Sequence, residues 1–257
     1  HYKLSKICKK NKLIYLCSAF DLESLKFLDK NLRIPMFKIP SGEAFSLDML
    51  NFLSKKKKSI LLSTGMTSFK ELKQILNKIN NGRRKDITIL HCISSYPADK
   101  KDLNLNLIDT ISKKFKYKVG YSDHSLGDQA CLAAVAKGAL VIEKHVTLSK
   151  KMRGPDHKTS STIDEFKKMV NKIRDLEEMM GTNIKKFSKK EINVKNAARK
   201  SIVAVNDIKK GSIIRLLDIT FKRPGIGISP LEAKKVIGKK AKYFIKKDTL
   251  LKKSKIK

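Results

Sequence analysis

Six short apolar runs, at residues 13–19, 36–41, 60–64, 87–92, 119–124 and 140–147, alternate with stretches of helical period at 22–30, 46–55, 68–80, 104–114, 128–137 and 163–180. This rhythm restricts the first two thirds of the chain to parallel α/β architectures. The runs are almost continuously apolar, as strands buried on both faces must be. Several helical stretches carry start signals, with Thr67 or Ser68 ahead of Glu71 and Thr162 ahead of Glu165. Polar residues collect just past each run: Ser18, then Ser41-Gly42-Glu43, Ser63-Thr64-Gly65, Ser94-Ser95-Tyr96, Ser122-Asp123-His124, and Glu143 with His145. In a (β/α)₈ barrel such strand ends form one ring around one active site, whereas a doubly wound sheet gathers them at a switch point. Six successive polar ends fit the barrel. Eight strands are needed, six are read, and the chain opens on His1 rather than Met. The expectation is therefore an α/β fold, a TIM barrel lacking about its first two strands; a miscounted strand is the alternative.

Beyond the last long helix the character changes. Residues 1–182 read as the partial barrel, 183–197 as a polar, basic linker without period, and 198–257 as a small β-rich domain with segments at 200–205, 219–223 and 241–245. Within it, Ile208-Lys209-Lys210-Gly211-Ser212-Ile213-Ile214 is weakly echoed by Ile245-Lys246-Lys247-Asp248-Thr249-Leu250-Leu251.

The formal charge of +34 raises nucleic-acid or membrane-surface binding. The lysines are instead dispersed along helices, and no helix-turn-helix, zinc finger or aromatic-interleaved basic patch accompanies them. The expectation is no nucleic-acid partner and no membrane, with a positive field that attracts anionic substrates. No apolar run is long enough to span a bilayer. Cys8, Cys17, Cys92 and Cys131 are scattered, mostly inside apolar runs, and read as buried thiols in a reducing, cytoplasmic compartment.

Strand–helix–strand continuity makes the runs ending at His124 and His145 parallel, with their ends pointing the same way. Two imidazoles, a carboxylate and a hydroxyl then face one mouth, with Asp123 and Glu143 beside the histidines and Ser122 among the strand-end residues, a place for a divalent metal and a polar substrate. Imidazole suits Mn, Fe, Co or Zn better than Ca or Mg. Unrelated capping and core roles for the two histidines are the competing reading; their position on adjacent ends favours the metal. Lys38 lies two residues inside Pro40 on the same strand face, and a lysine buried in a barrel needs an anion. A structural salt bridge would supply one, and so would a substrate. With Ser18, Ser41, Ser63 and Thr64 nearby it resembles a phosphate or carboxylate cradle. His91-Cys92 reads as core packing. Tyr96 could bind substrate, and Asp156, in the turn Gly154-Pro155-Asp156-His157, could bind hydroxyls or merely shape that turn.

These segments, in this order, resemble the sialic acid synthase (NeuB-like) family. The likeness runs through Phe37-Lys38-Ile39-Pro40-Ser41-Gly42-Glu43, Leu62-Ser63-Thr64-Gly65-Met66, Leu90-His91-Cys92 to Tyr96-Pro97, Gly120-Tyr121-Ser122-Asp123-His124, Ile142-Glu143-Lys144-His145 and Gly154-Pro155-Asp156-His157-Lys158. It continues into Ala198-Arg199-Lys200-Ser201 and Lys222-Arg223-Pro224-Gly225-Ile226-Gly227, where it resembles the family's antifreeze-like (SAF, β-clip) domain. The resemblance implies condensation of phosphoenolpyruvate with an N-acylated mannosamine-type sugar, giving a nine-carbon 2-keto acid and phosphate. It implies Mn²⁺ or Mg²⁺ on His124 and His145, and phosphoenolpyruvate on Ser18, Lys38, Ser41, Ser63, Ser94, Tyr96 and Ser122. Glu43 and Glu143 match acidic residues near the reacting groups, which with His124 and His145 make up the implied catalytic set. Tyr96, Asp156 and Arg223 match sugar-binding positions, the arginine supplied by a neighbouring subunit, hence a domain-swapped homodimer. Ser18 stands where the family more often has Thr, and Ser94 where some members have Asn. The family's acidic residue after its first strand and the lysine near its second fall outside this chain, so a polypeptide beginning at His1 is expected to have little activity. A non-catalytic carbohydrate- or anion-binding relative is the alternative.

Overall fold

The computed structural model describes residues 1–83 and 86–257. The chain divides into two compact units, His1–Gly181 and Thr182–Lys257.

In the first unit, helices α1 (Tyr2–Lys10) and α2 (Leu22–Lys30) precede a regular alternation: β1 (Met36–Ile39), α3 (Leu47–Ser54), β2 (Ser59–Ser63), α4 (Phe69–Asn80), β3 (Ile87–Cys92), α5 (Leu107–Phe115), β4 (Lys118–Asp123), α6 (Gln129–Ala136) and β5 (Ile142–Lys144). The strands pair in parallel and in chain order, β1-β2-β3-β4-β5. Without the reversal of order that marks a doubly wound sheet, the sheet curls as half of a barrel. Two short strands, β6 (Val146–Thr147) and β7 (Ser161–Thr162), pair separately before the long helix α7 (Ile163–Met180).

Alternation along each strand sorts the side chains. Phe37, Ile39, Ile60, Leu62, Ile87, Ile89, Val119 and Tyr121 pack outward into the core shared with the helices. Helix α4 meets them with Leu72, Ile75, Leu76 and Ile79, spaced i, i+3, i+4, i+7. Its first turn is closed by Ser68 and Glu71, and that of α7 by Thr162 and Glu165, each a reciprocal capping box as the sequence indicates. The opposite, concave face carries Lys38, Ser63, Cys92, Ser122 and Glu143.

Three expectations are corrected. Residues 13–19 do not form a strand; their only pairing is a bridge from Ser18 to Lys38, and Leu13 and Ile14 are exposed. The run 140–147 is broken at His145: β4 ends at Asp123, opposite Lys144, so β5 has no ladder beyond that point and the chain turns to β7. The sequence reading also assigns no element to α1, none of whose residues is buried.

The second unit opens with α8 (Lys189–Ala198), inside the segment 183–197 expected to be linker. Ser188 caps it, accepting from the Glu191 N–H, and none of its residues is buried, so its sequence carries no apolar stripe to betray it. Strands β8 (Ser201–Ala204) and β9 (Ile219–Lys222) pair antiparallel. The expected strand at 241–245 is reduced to isolated bridges at its two ends. A short helix, α9 (Ala233–Val236), completes the elements. The core is built from Ile202, Ile208, Ile214, Ile219, Ile228, Ile245 and Leu251. The echoed segments meet: Ile208 and Ile245 exchange both backbone hydrogen bonds, and each is followed three residues later by a left-handed turn, at Gly211 (φ 82°) and Asp248 (φ 59°). The recurrence of Ile-Lys-Lys-Gly/Asp therefore records one turn used twice, with Gly and Asp both residue types that tolerate that conformation.

Candidate active site

The strand ends bring Lys38, Ser63, Ser122 and Glu143 into one hydrogen-bonded chain across the concave face. The Lys38 ammonium donates to Ser63 Oγ at 2.9 Å and lies 3.4 Å from Glu143 Oε2. Ser122 Oγ donates to Glu143 Oε1 at 2.7 Å. The β4–β5 register pairs Ser122 with Glu143, so their side chains share a face. Lys38 is 5% exposed, whereas the Glu143 side chain is 39% exposed, so the buried cation opens to solvent through its carboxylate partner.

A second cluster surrounds Gly65. Its N–H donates to Ser41 Oγ at 3.0 Å and to Cys92 Sγ at 3.1 Å, and Ser41 Oγ and Cys92 Sγ are 3.3 Å apart. A Cβ at Gly65 would stand 2.2 Å from Ser94 Oγ, 3.0 Å from Ser41 Oγ and 3.1 Å from Cys92 Sγ. The absence of a side chain at Gly65 lets Ser41 and Cys92 close on its N–H and leaves room for the Ser94 hydroxyl. Gly65→Ala is expected to push Ser94 aside at an overpacking cost of about 1–3 kcal/mol, read from thermal unfolding.

The histidines lie at the ends of β4 and β5. His124 Nδ1 donates to the Ile93 carbonyl at 2.6 Å, and His145 Nδ1 is 3.7 Å from Asp156 Oδ2. The ring centroids are 5.4 Å apart, with planes at 89°. Tyr96 stacks on His124 at 4.1 Å and approaches His145 at 5.6 Å. Burial pushes the His124 imidazole below its ordinary value against the opposing Ile93 bond, and His145 adds to the lowering. Burial also raises the Tyr96 phenol, helped by Cys92, Asp156 and Glu143. Among the described residues no group of three or more His, Cys, Asp or Glu side chains converges as a metal cage, so any ion held here rests on the two imidazoles.

The other sequence candidates are placed as follows. Ser18 bridges to Lys38. Glu43 lies in the turn after β1 and accepts from Ser46 Oγ at 2.5 Å; it makes no bond to the Lys38 chain among the described contacts. Asp156 is brought to His145 by a loop tied through Thr147 Oγ1 and His157 Nδ1, 2.8 Å apart. Arg223 is exposed in the second unit, just past β9.

Two readings need correction. Asp123 does not face the mouth. It points to the helix side, where Lys144, its partner in register, donates at 2.6 Å with both side chains buried. Burial drives the Asp123 carboxyl upward, but Lys144 and the Ser125 hydroxyl and N–H outweigh it and hold the group below the usual range. Of the four thiols expected to be buried, Cys92 and Cys131 are, whereas Cys8 and Cys17 are partly exposed; Cys92 packs in the interior as expected, but on the concave face, two residues past Leu90 and opposite Ser122 in register. Strand alternation with Ser122 was the signal that could have found it.

His91 is a packing residue, as the sequence suggests. It is buried against Tyr121 and donates from Nε2 to the Leu103 carbonyl at 2.8 Å. Burial lowers its value from the ordinary 6.5, against the Leu103 bond. The unfolded chain then takes up a proton before the folded one, so His91 stabilises the fold above pH 6.5 and that contribution is lost as pH falls through its folded value. A His91→Phe variant is expected to show a shallower fall in unfolding free energy between about pH 7.5 and 5.5, read from urea titrations.

Comparison with known proteins accords with this geometry. The NeuB family model matches residues 1–185, and the SAF domain model matches 199–257. The N,N'-diacetyllegionaminic acid synthase of Campylobacter jejuni is 44% identical over 253 residues, spanning 98% of this chain and 75% of that protein. The enzyme of the same name from Legionella pneumophila is 36% identical over 98% of this chain and 71% of its own length. In fold, the chain superposes on a putative spore coat polysaccharide biosynthesis protein E from Chromobacterium violaceum with a TM-score of 0.86 at 24% identity, covering 99% of this chain and 77% of the other. No helix among the described residues is long and apolar enough to cross a membrane. Nearly the whole of this chain, a half-barrel whose strand ends carry the lysine, hydroxyls and paired histidines and a β-rich unit after it, aligns with about three quarters of each of these relatives: the chain belongs to the NeuB family and carries a SAF domain at its C-terminal end.

Proposed function

We propose that this chain condenses phosphoenolpyruvate with an N-acylated mannosamine-type sugar, N-acetylmannosamine or a related 2,4-diacetamido hexose, to give a nine-carbon 2-keto sugar acid and phosphate. The observation that carries the reading is the buried Lys38, held by Ser63 and Glu143 on the same face that ends in two imidazoles 5.4 Å apart. An anion site thus adjoins a carbonyl-activating site. The legionaminic relatives favour the diacetamido sugar.

In this reading C3 of phosphoenolpyruvate bonds to the aldehyde carbon and C2 gains oxocarbenium character. Water adds at C2, and the C2–O bond to the departing phosphate breaks. Lys38, with the hydroxyls of Ser18, Ser41, Ser63, Ser94 and Ser122 and the phenol of Tyr96, holds the phosphate and carboxylate. Glu143, already hydrogen-bonded to Ser122, and Glu43 stabilise the positive charge at C2. Asp156 orients the sugar. Arg223 from the SAF domain of a second copy closes over it, in a domain-swapped homodimer.

The donor set fits a divalent cation, Mn²⁺ or Mg²⁺. The Ile93 carbonyl fixes the His124 proton on Nδ1, Asp156 stands beside Nδ1 of His145, and Nε2 of each ring is left to coordinate. Burial keeps His124 in the neutral form that a ligand needs. When bound, the ion supplies Lewis-acid polarisation of the aldehyde. The four cysteines are unpaired, which supports a reducing, cytoplasmic setting.

The test is phosphate release from phosphoenolpyruvate with Mn²⁺ and each candidate sugar. Sugar-dependent release supports the reading. Binding of either substrate without release would point to a non-catalytic binding protein.

A further inference from the structure

Asp123 and Lys144 close the last rung of the β4–β5 ladder. Each immediately precedes one of the paired histidines. Their side chains are 0% and 2% exposed and meet at 2.6 Å. Around Asp123 the donors are Tyr121 Oη, the Ser125 N–H and Oγ, Cys131 Sγ and Lys144 Nζ, and Lys144 also donates to the Ser125 carbonyl at 2.6 Å. A buried ion pair is a weak stabiliser, since apolar residues of like volume often hold a fold as well or better. What this one does supply is geometry. Because successive side chains alternate faces, a lock on the helix side at 123 and 144 fixes the backbone that aims 124 and 145 toward the mouth.

We propose that the Lys144–Asp123 pair is a positioning clamp that sets the separation and orientation of the His124 and His145 rings, and through them the affinity for a divalent cation. The proposal rests on the metal reading given above and adds the residues that tune it.

The experiment titrates the full chain with Mn²⁺ alone, following free Mn²⁺ by electron paramagnetic resonance. Removing one charge of a buried pair can unfold a protein, so the decisive variant is D123N/K144M, which removes both. Expected are a folded protein by circular dichroism, Mn²⁺ binding weakened roughly 10–100-fold, as for other groups that orient metal ligands, and displaced imidazole resonances in the metal-free protein. Leu53→Ala, a change in the α3 core, controls for stability and should leave Mn²⁺ affinity unaltered. A folded D123N/K144M that binds Mn²⁺ within about twofold of the parent would overturn the clamp while the metal reading stands, provided the parent's binding is lost in H124A/H145A. Parent binding that is absent, or indifferent to both histidines, would overturn the metal reading and the clamp together.

Discussion

Replacing His124 with alanine is expected to lower kcat/KM for the proposed condensation about 10³-fold or more with the fold intact. Lewis-acid stabilisation of a developing alkoxide is worth several kcal/mol, and each 1.36 kcal/mol is tenfold in rate. The structural loss is small by comparison: one hydrogen bond to the Ile93 carbonyl, worth about 1 kcal/mol, and the ring stacked on Tyr96. The two effects separate cleanly when initial rates are measured beside thermal unfolding. His145→Ala should behave alike. Turnover that persists in either variant at saturating Mn²⁺ would remove the paired imidazoles from the mechanism.

Lys38→Met should act at the other end of the site. The ammonium is buried and contacts Ser63 and Glu143, so the methionine fills its channel without a charge. Hydrogen bonds to charged groups contribute about 1.5–3 kcal/mol each. A substrate anion that loses such a contact in a shielded site should show a KM for phosphoenolpyruvate raised by about tenfold or more, and a larger fall in kcat/KM. The KM for the sugar should change little. Glu143 keeps its bond from Ser122 and its exposure to water, so unfolding should shift only modestly. A KM for phosphoenolpyruvate equal to the parent's would assign Lys38 a structural role as the counter-ion of Glu143.

Much of the fold was legible because parallel α/β units write themselves along the chain. The runs at β1 to β4 are mostly apolar segments broken by the residues of the site, and capping boxes mark where α4 and α7 begin. The failures share a cause. Residues 13–19 are as apolar as a strand, but a strand exists only by virtue of a ladder, and here one bridge to Lys38 is all that forms. The run 140–147 changes ladder at His145 because β4 stops at Asp123. Helix α8 buries nothing, so it has no periodic signal to read.

At the site, the sequence alone determined which residue types stand at which strand ends: a lysine before the first turn, hydroxyls at successive ends, and histidines closing adjacent strands. These follow from chain order, since parallel strands joined by helices must end on one side. Only the tertiary structure decided which faces those residues take. It turned Asp123 away to Lys144, brought Cys92 in beside Gly65, and left Glu43 with Ser46. The reason is that a side chain's face depends on register with the neighbouring strand, and register is set by packing between segments distant in sequence.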